Sequence, residues 1–312
     1  MKIAVIGAGA MGTIYGGRLS QHNDVFLIDV NRDIVERVNR GGVILRENGI
    51  DSRFRPKAAL SSENIGTVDL VILFVKSQFS RSALKENMSL IGDETYVMTL
   101  QNGSGHEDVL SEAVPVDRVI IGTTEDNGSL IEPGHANHGG NGRTNIGMIH
   151  PDTAGVLPVI RDCFDSCGFT TLIHENIQKL IWDKLFTNVS LSALTGILQV
   201  KMGFIAKDPH AWNLAESLVS EALEVAGAMG LEFERDEILA KVRKTSENNP
   251  DGRTSIYTDL KNGRLTEVDA ISGSVVRAAK KYGVAVPSHE FVVNMVHAIE
   301  RKTAEERNGE SE

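Results

Sequence analysis

A glycine pattern near the start of the chain constrains its fold more than any other feature: Ile3-Ala4-Val5-Ile6-Gly7-Ala8-Gly9-Ala10-Met11-Gly12. A short apolar run enters three glycines at G-x-G-x-x-G spacing. A helix-compatible segment follows (Thr13 to Leu19), and a second apolar run, Val25 to Ile28, ends in Asp29. Each part has a task at a dinucleotide. Gly7 permits the tight turn out of the strand, Gly9 leaves room for a pyrophosphate to approach the backbone, and Gly12 lets the helix pack closely on the sheet. Ala10 and Met11 open the helix, whose N-terminus offers backbone N–H groups and a partial positive charge to phosphate. A carboxylate about twenty residues beyond the motif, here Asp29, can accept hydrogen bonds from the ribose hydroxyls.

Asp29 also bears on the choice of cofactor. Its charge repels the 2′-phosphate of NADP and suits the free 2′-hydroxyl of NAD. Asn31 and Arg32 follow closely, and Arg32 could turn toward a phosphate, so the sequence points to NAD(P)H with NAD favoured and NADP open.

The chain has 312 residues, a length that suits two domains better than one. With 41% hydrophobic and 24% charged residues, its composition is that of a soluble globular protein. The net charge of −10, without a basic run, argues against nucleic acid or an anionic membrane as partner. The first strand starts at residue 3, which leaves no room for a signal peptide and makes the cytoplasm the expected location. Cys163 and Cys167 lie four apart without further ligands, the pattern of two reduced thiols near one helix face.

Along the chain, a helix is expected over Arg32 to Arg40. A nearly continuous apolar run, Val68 to Val75, reads as a central parallel strand covered on both faces, with Lys76 at its carboxyl edge. Strands at Tyr96 to Leu100 and Arg118 to Ile121 end in Gln101-Asn102-Gly103 and Gly122-Thr123-Thr124. Ligands in open α/β sheets bind beyond such carboxyl ends, so these termini converge on one crevice. Residues 130 to 150 are rich in turn formers and read as a hairpin added to the sheet. His135 and His138 there lack an evident third ligand and read as part of a solvated loop, with no metal site. The expected fold class is therefore α/β: a Rossmann-type dinucleotide-binding domain over residues 1–174, followed by an all-helical domain over 175–312.

In the helical half, Gln178 to Leu198 is long and apolar and should be buried. Lys184, Asn188 and Ser192 recur every four residues along it and form one polar stripe, either a solvent-facing ridge or a functional face. A helix over Ala211 to Met229 is expected to turn Glu216, Glu221 and Glu224 outward. Thr266-Glu267-Val268-Asp269 should open a helix running to Tyr282. The last helix should span Ser288 to Thr303, with a frayed tail from Ala304 to Glu312.

Several blocks carry a family resemblance in order: the N-terminal glycine segment, Gln101-Asn102-Gly103, Trp182-x-Lys184-Leu185-x-x-Asn188, Ser255…Asp259-Leu260…Gly263-Arg264-x-Thr266-Glu267-Val268-Asp269, and Gly283-Val284-Ala285-Val286-Pro287. Together they resemble the ketopantoate reductase (2-dehydropantoate 2-reductase) family across nearly the whole chain. The resemblance implies NAD(P)H-dependent reduction of a 2-keto acid, ketopantoate, to the D-2-hydroxy acid, with catalysis in a cleft. It gives Lys184 the role of general acid and Glu267 that of the carboxylate supporting the lysine and the substrate hydroxyl, also on the cofactor side. Asn188, Ser192 and Ser255 match substrate-binding positions, Asn102 a loop residue near nicotinamide and substrate, and Lys76 a cofactor-side lysine. It also makes a homodimer the expected assembly. Two positions depart from the family pattern: Ser192 and Gly252 stand where asparagines are common. With Asp29, they leave open an NAD-dependent D-2-hydroxyacid (D-mandelate-type) dehydrogenase on the same scaffold. A non-catalytic NAD(H)-binding sensor is a third reading, disfavoured by the presence of both candidate catalytic residues.

Overall fold

A computed structural model of the chain describes residues 1–140 and 142–309. Two compact units appear. One comprises residues 1–101 and 106–178, the other 102–105 and 179–312. The chain thus enters the second unit for four residues, Asn102–Gly105, well before it moves there for good.

The first unit begins with β1 (Lys2–Ile6), α1 (Ala10–Leu19), β2 (Asp24–Ile28) and α2 (Arg32–Gly41). Next come β3 (Val43–Glu47), β4 (Ile50–Phe54), β5 (Lys57–Ala59), β6 (Leu70–Leu73), α3 (Ser80–Glu86), β7 (Tyr96–Thr99) and α4 (His106–Leu110). The unit continues with β8 (Val119–Thr124), β9 (Gly128–Glu132), β10 (His135–His138), β11 (Arg143–Gly147), α5 (Val156–Ser166) and β12 (Thr170–Ile173). The main sheet has eight strands in the order β12-β11-β8-β7-β6-β1-β2-β5. From β5 to β8 the neighbours run parallel, and only the β8–β11 pair is antiparallel. The order of connection reverses at β1, which lies between β2 and β6. Such a switch point leaves a crevice at the carboxyl ends of the flanking strands. All four residues of β6 are buried, as a strand covered on both faces requires.

The turn-rich region departs from the sequence reading. Its hairpin, β9–β10, joins β3 and β4 in a separate four-stranded sheet of order β4-β3-β10-β9, and only β11 enters the main sheet. His135 and His138 are not on a solvated loop; they sit in β10 at 8% and 5% exposure. His138 Nε2 lies 2.9 Å from Asp126 and its Nδ1 2.6 Å from Glu47, which also pairs with Arg18 of α1. The Gly142 N–H completes Asp126 at 2.7 Å. The imidazole is buried because two carboxylates satisfy both its nitrogens, and their sequence distance hides this arrangement. Asn141 of this stretch lies outside the described residues.

The second unit is built from α6 (Ile177–Leu198), α7 (Met202–Lys207), α8 (Pro209–Ala228), α9 (Arg235–Asn248), α10 (Ser255–Lys261), α11 (Ser272–Tyr282) and α12 (Pro287–Gly309). Its core gathers Trp182, Leu185, Phe186 and Val189 of α6 with Leu218 and Val225 of α8, Val242 of α9 and Val296 of α12. Each such fully buried side chain contributes roughly 1.5–3 kcal/mol of transfer free energy. Local chemistry sets the helix starts. Asp208 accepts from the Ala211 N–H at 2.8 Å with Pro209 next in line, and Thr254 caps α10 through the Tyr257 N–H.

Three expectations change here. Glu221 does not point outward: its two oxygens accept the Ser288 and His289 N–H groups at 2.8 and 3.1 Å and cap α12. Glu216 accepts from the Trp212 indole at 2.7 Å. Residues 266–271 form turns before α11 rather than its first turn, and α12 runs on to Gly309. Its final turns are tied by Arg307, which donates to the carbonyls of Asn262 and Gly263 at 2.7 and 2.8 Å. Residues 310–312 of the expected tail lie outside the described residues.

Candidate active site

In the first unit the glycine segment forms the turn from β1 into α1. Gly7 has φ +98°, and a Cβ there would lie 2.7 Å from the Val75 nitrogen, so only glycine fits. A Cβ on Gly12 would lie 1.7 Å from the Gly7 carbonyl oxygen. Gly9 is different: an added Cβ would meet nothing within 4 Å. The protein itself gives no steric reason for glycine at this position, whereas a phosphate group approaching the loop would. Gly9 is also the N-cap of α1 and supplies no side-chain bond to the first turn, which leaves the N–H groups of Ala10 and Met11 oriented as phosphate donors.

Asp29 directly follows β2 and is held on both sides. One oxygen accepts the Ala8 N–H at 2.7 Å and the other the Asn31 N–H at 2.8 Å. A carboxylate has about four acceptor sites, so each oxygen keeps capacity for a ribose hydroxyl. Beside it lies a cavity of about 370 Å³ at the ends of β1, β2 and β6, lined by Ile6, Gly7, Asp29, Val30, Leu60 and Phe79 among others. Its apolar wall suits the flat face of a base. The sequence reading did not find Val30, Leu60 and Phe79. In the sequence they are single apolar residues without periodicity, and in the structure they are exposed, 85% for Val30 and 50% for Phe79. Arg32 stands exposed at the start of α2, 3.9 Å from Glu36. Lys76 is half-buried and follows β6 at the head of a short turn. The amide of Gln101 braces this corner, donating to the Val75 carbonyl at 2.5 Å and to the Ser80 hydroxyl at 2.9 Å. The dinucleotide thus finds a fitting site in the residues present.

In the second unit Lys184, Asn188 and Ser192 occupy successive turns of α6, about 6 Å apart along the axis. Lys184 and Asn188 are half-buried and Ser192 is buried, so the stripe is not a solvent ridge. The start of α10 docks on the same helix. Thr254 Oγ1 lies 2.8 Å from Thr195 Oγ1 and 3.3 Å from the Ser192 carbonyl, and a Cβ on Gly196 would lie 2.5 Å from Ile256. Ser255, between these two anchors, is thereby set beside the Ser192 end of the stripe, with its side chain exposed.

Glu267 sits half-buried on the turn before α11. Its carbonyl accepts the Ala270 and Ile271 N–H groups at 3.0 and 3.1 Å, while Val268 and Ile271 enter the core shared with Leu185 and Phe186. The four-residue excursion reaches the same turn. Gly103, at φ +100°, packs so closely that a Cβ would lie 2.0 Å from the Ala270 oxygen, and the Ser104 N–H donates to that oxygen at 3.2 Å. Asn102 is carried with it. All of the expected substrate-side residues thus lie in the second unit, on four separated segments. Among the described residues no group of three or more His, Cys, Asp or Glu could hold a metal ion, and no helix is long and apolar enough to cross a membrane.

An open sheet with a dinucleotide turn, joined to a helical unit bearing a lysine and a carboxylate, defines a class of nicotinamide-linked oxidoreductases. Residues 3–151 match the family described as Ketopantoate reductase PanE/ApbA, and residues 176–300 match its C-terminal counterpart. The chain belongs to the ketopantoate reductase family, and it is an enzyme of the oxidoreductase class. It is 29% identical to a 2-dehydropantoate 2-reductase of Halobacterium salinarum over 303 residues, covering 96% of this chain and 99% of that one. It is 30% identical over 306 residues to the 2-dehydropantoate 2-reductase of Lactococcus lactis, covering 96% and 98%. Among solved structures it resembles D-mandelate dehydrogenase in a ternary complex with NADH and anilino(oxo)acetate, at TM-score 0.90 and 32% identity, with 97% and 99% of the chains covered. A PanE/ApbA family ketopantoate reductase from Ralstonia eutropha is similar at TM-score 0.88 and 27% identity, covering 97% and 100%.

Proposed function

We propose that this enzyme reduces a 2-keto acid to the D-2-hydroxy acid with NAD(P)H, ketopantoate being the substrate and D-pantoate the product. The observation that carries this reading is the ladder of Lys184, Asn188 and Ser192 on α6, flanked by Ser255 and sharing its core with the Glu267 turn. The family and the relatives from Halobacterium salinarum and Lactococcus lactis support it.

Bound reduced nicotinamide supplies a hydride to the ketone carbon. The ketone oxygen then gains negative charge, which the Lys184 ammonium stabilises and protonates. Glu267 orients the lysine and accepts from the nascent hydroxyl. Asn188, Ser192, Ser255 and Asn102 hydrogen-bond the substrate. On the cofactor, Gly7, Gly9, Ala10, Met11 and Gly12 cradle the pyrophosphate, and Lys76 adds charge nearby. The preference is for NADH: Asp29 is pinned by two backbone N–H groups and cannot swing away from a 2′-phosphate.

A second reading is an NAD-dependent D-2-hydroxyacid dehydrogenase, and one observation favours it. A Cβ on Gly252 would lie 2.5 Å from the Asn249 amide, so an asparagine cannot stand at 252 unless Asn249 moves. With Ser192, two family amides are missing from the substrate side, a loss that suits a less polar keto acid. The similarity to a D-mandelate dehydrogenase agrees with this. The deciding experiment is NADH and NADPH oxidation with ketopantoate beside phenylglyoxylate, 2-ketoisovalerate and 2-ketoisocaproate. Ketopantoate far ahead in kcat/KM supports the first reading and another keto acid far ahead the second; tight NADH binding without turnover on any of them would defeat both.

A further inference from the structure

The turn that carries Glu267 is clamped from outside by α12, a helix without an assigned part in the reaction. Glu300 on α12 accepts the Thr266 N–H, directly before Glu267, at 2.6 Å. Its other oxygen lies 2.9 Å from His297 Nδ1, and His297 Nε2 lies 3.1 Å from Asp269, two residues after Glu267. The Glu300 side chain is 8% exposed, whereas His297 is 42% exposed. Arg277 of α11 donates to the Asp269 carbonyl at 2.8 Å and closes the frame. Residues on both sides of Glu267 are therefore fastened to one helix, and the fastening extends further. The same turn also presents the Ala270 carbonyl that takes the Ser104 N–H.

We propose that Glu300, with His297 as its brace, is a positioning residue for the reduction: it sets the place of the Glu267 carboxylate. This deepens the role proposed for Glu267 and rests on it. A buried carboxylate that bonds a backbone N–H holds a turn more rigidly than packing alone, because loss of the acceptor leaves a desolvated donor. Displacement of a reacting group by about 1 Å can cost on the order of 100-fold in rate. Both Glu300 oxygens are engaged by protein groups, the Thr266 N–H and His297, and the route open to it is the turn.

The test is a double-variant cycle on the full-length protein with NADH and the best 2-keto acid of the panel. Glu300→Ala should lower kcat by roughly 10- to 100-fold while the NADH-to-NADPH preference, assigned to Asp29, stays within about twofold. Glu300→Gln keeps an oxygen for the Thr266 N–H and should restore most of kcat. His297→Ala, on the more exposed brace, should cost only a few-fold and serves if Glu300→Ala fails to fold. The Glu267→Ala/Glu300→Ala double variant should be no slower than Glu267→Ala alone, because a residue acting through another adds nothing once that other is gone. Additive losses, or wild-type kcat in a folded Glu300→Ala variant, would overturn the clamp and leave the role of Glu267 standing. Wild-type turnover by Glu267→Ala would instead remove the role of Glu267, and the clamp with it.

Discussion

The two units build their sites from different materials. In the first, the candidate site is largely backbone: a turn of glycines, a helix start, and one carboxylate held by the Ala8 and Asn31 N–H groups. In the second, the candidate residues are side chains carried by α6, α10, the turn before α11 and the Asn102–Gly105 excursion, each set by packing around it. A backbone site is nearly indifferent to the side chains around it but intolerant of an added Cβ. A side-chain site should tolerate neighbouring change and fail when one functional group is removed.

Removing one such group gives the largest expected effect. Lys184→Ala should lower kcat by roughly 10²–10⁴-fold, the scale of a lost general acid, with NADH affinity nearly unchanged in a fluorescence titration. Turnover close to wild type would take Lys184 out of the mechanism and blur the contrast between the units. The glycines sharpen it. Gly12→Ala forces a Cβ to within 1.7 Å of the Gly7 oxygen and should cost both stability and NADH binding. Gly9→Ala points its methyl into open space, so its Tm should stay near wild type while the NADH Kd rises about tenfold or more, one hydrogen-bonded contact being worth ~1.5–3 kcal/mol when charged. Equal loss of Tm in both variants would show that Gly9 serves the fold rather than a phosphate. A smaller change is expected from Asp29→Ala, which should weaken NADH relative to NADPH by about tenfold; an unaltered ratio would mean that Asp29 does not read the ribose.

The smallest effect concerns the buried His138 network, which belongs to the fold and not to chemistry. The Asp126 hydrogen bond raises the His138 pKa against its burial, and Glu47 adds to this. Burial pushes Asp126 and Glu47 up, but hydrogen bonds from His138 and, respectively, Gly142 and Arg18 outweigh it and leave both lowered. The histidine contribution is full below its ordinary value of about 6.5 and fades as pH rises through the raised value. The carboxylate contributions are full above their ordinary values near ~4 and fade as pH falls through the lowered ones. His138→Gln should therefore lower Tm by a few degrees near pH 5.5, with the gap to wild type narrowing toward pH 9 and pH 3. A gap that is constant across pH would show that packing, not charge, is what His138 supplies.

The same contrast explains what could be read without coordinates. The dinucleotide turn was legible because its requirements are local: three glycines and an acid within about thirty residues impose geometry by themselves. The parallel sheet followed from apolar runs such as Val68 to Val75. The spacing of Lys184, Asn188 and Ser192 marked one face of α6 but could not say whether water or protein covered it. Family resemblance, rather than spacing, linked Glu267, Ser255 and Asn102 to that face, because residues so far apart in sequence carry no local signal of a common site. His138 and Glu221 were misplaced for a related reason. A polar residue looks solvent-bound until its partners, Asp126 and Glu47 or the start of α12, arrive from 12 to 91 positions away. The apolar cavity beside Asp29 was invisible because its walls are single residues from separate segments.

The excursion of Asn102–Gly105 has a consequence for how this protein can be divided. Because four residues of the early chain complete the later unit, a fragment starting at residue 179 lacks the piece that covers the Ala270 carbonyl. The two halves are not interchangeable cassettes. A graft that exchanges the helical half between relatives must carry this short loop with it, and so two stretches of coding sequence, not one, are inherited as a single functional part.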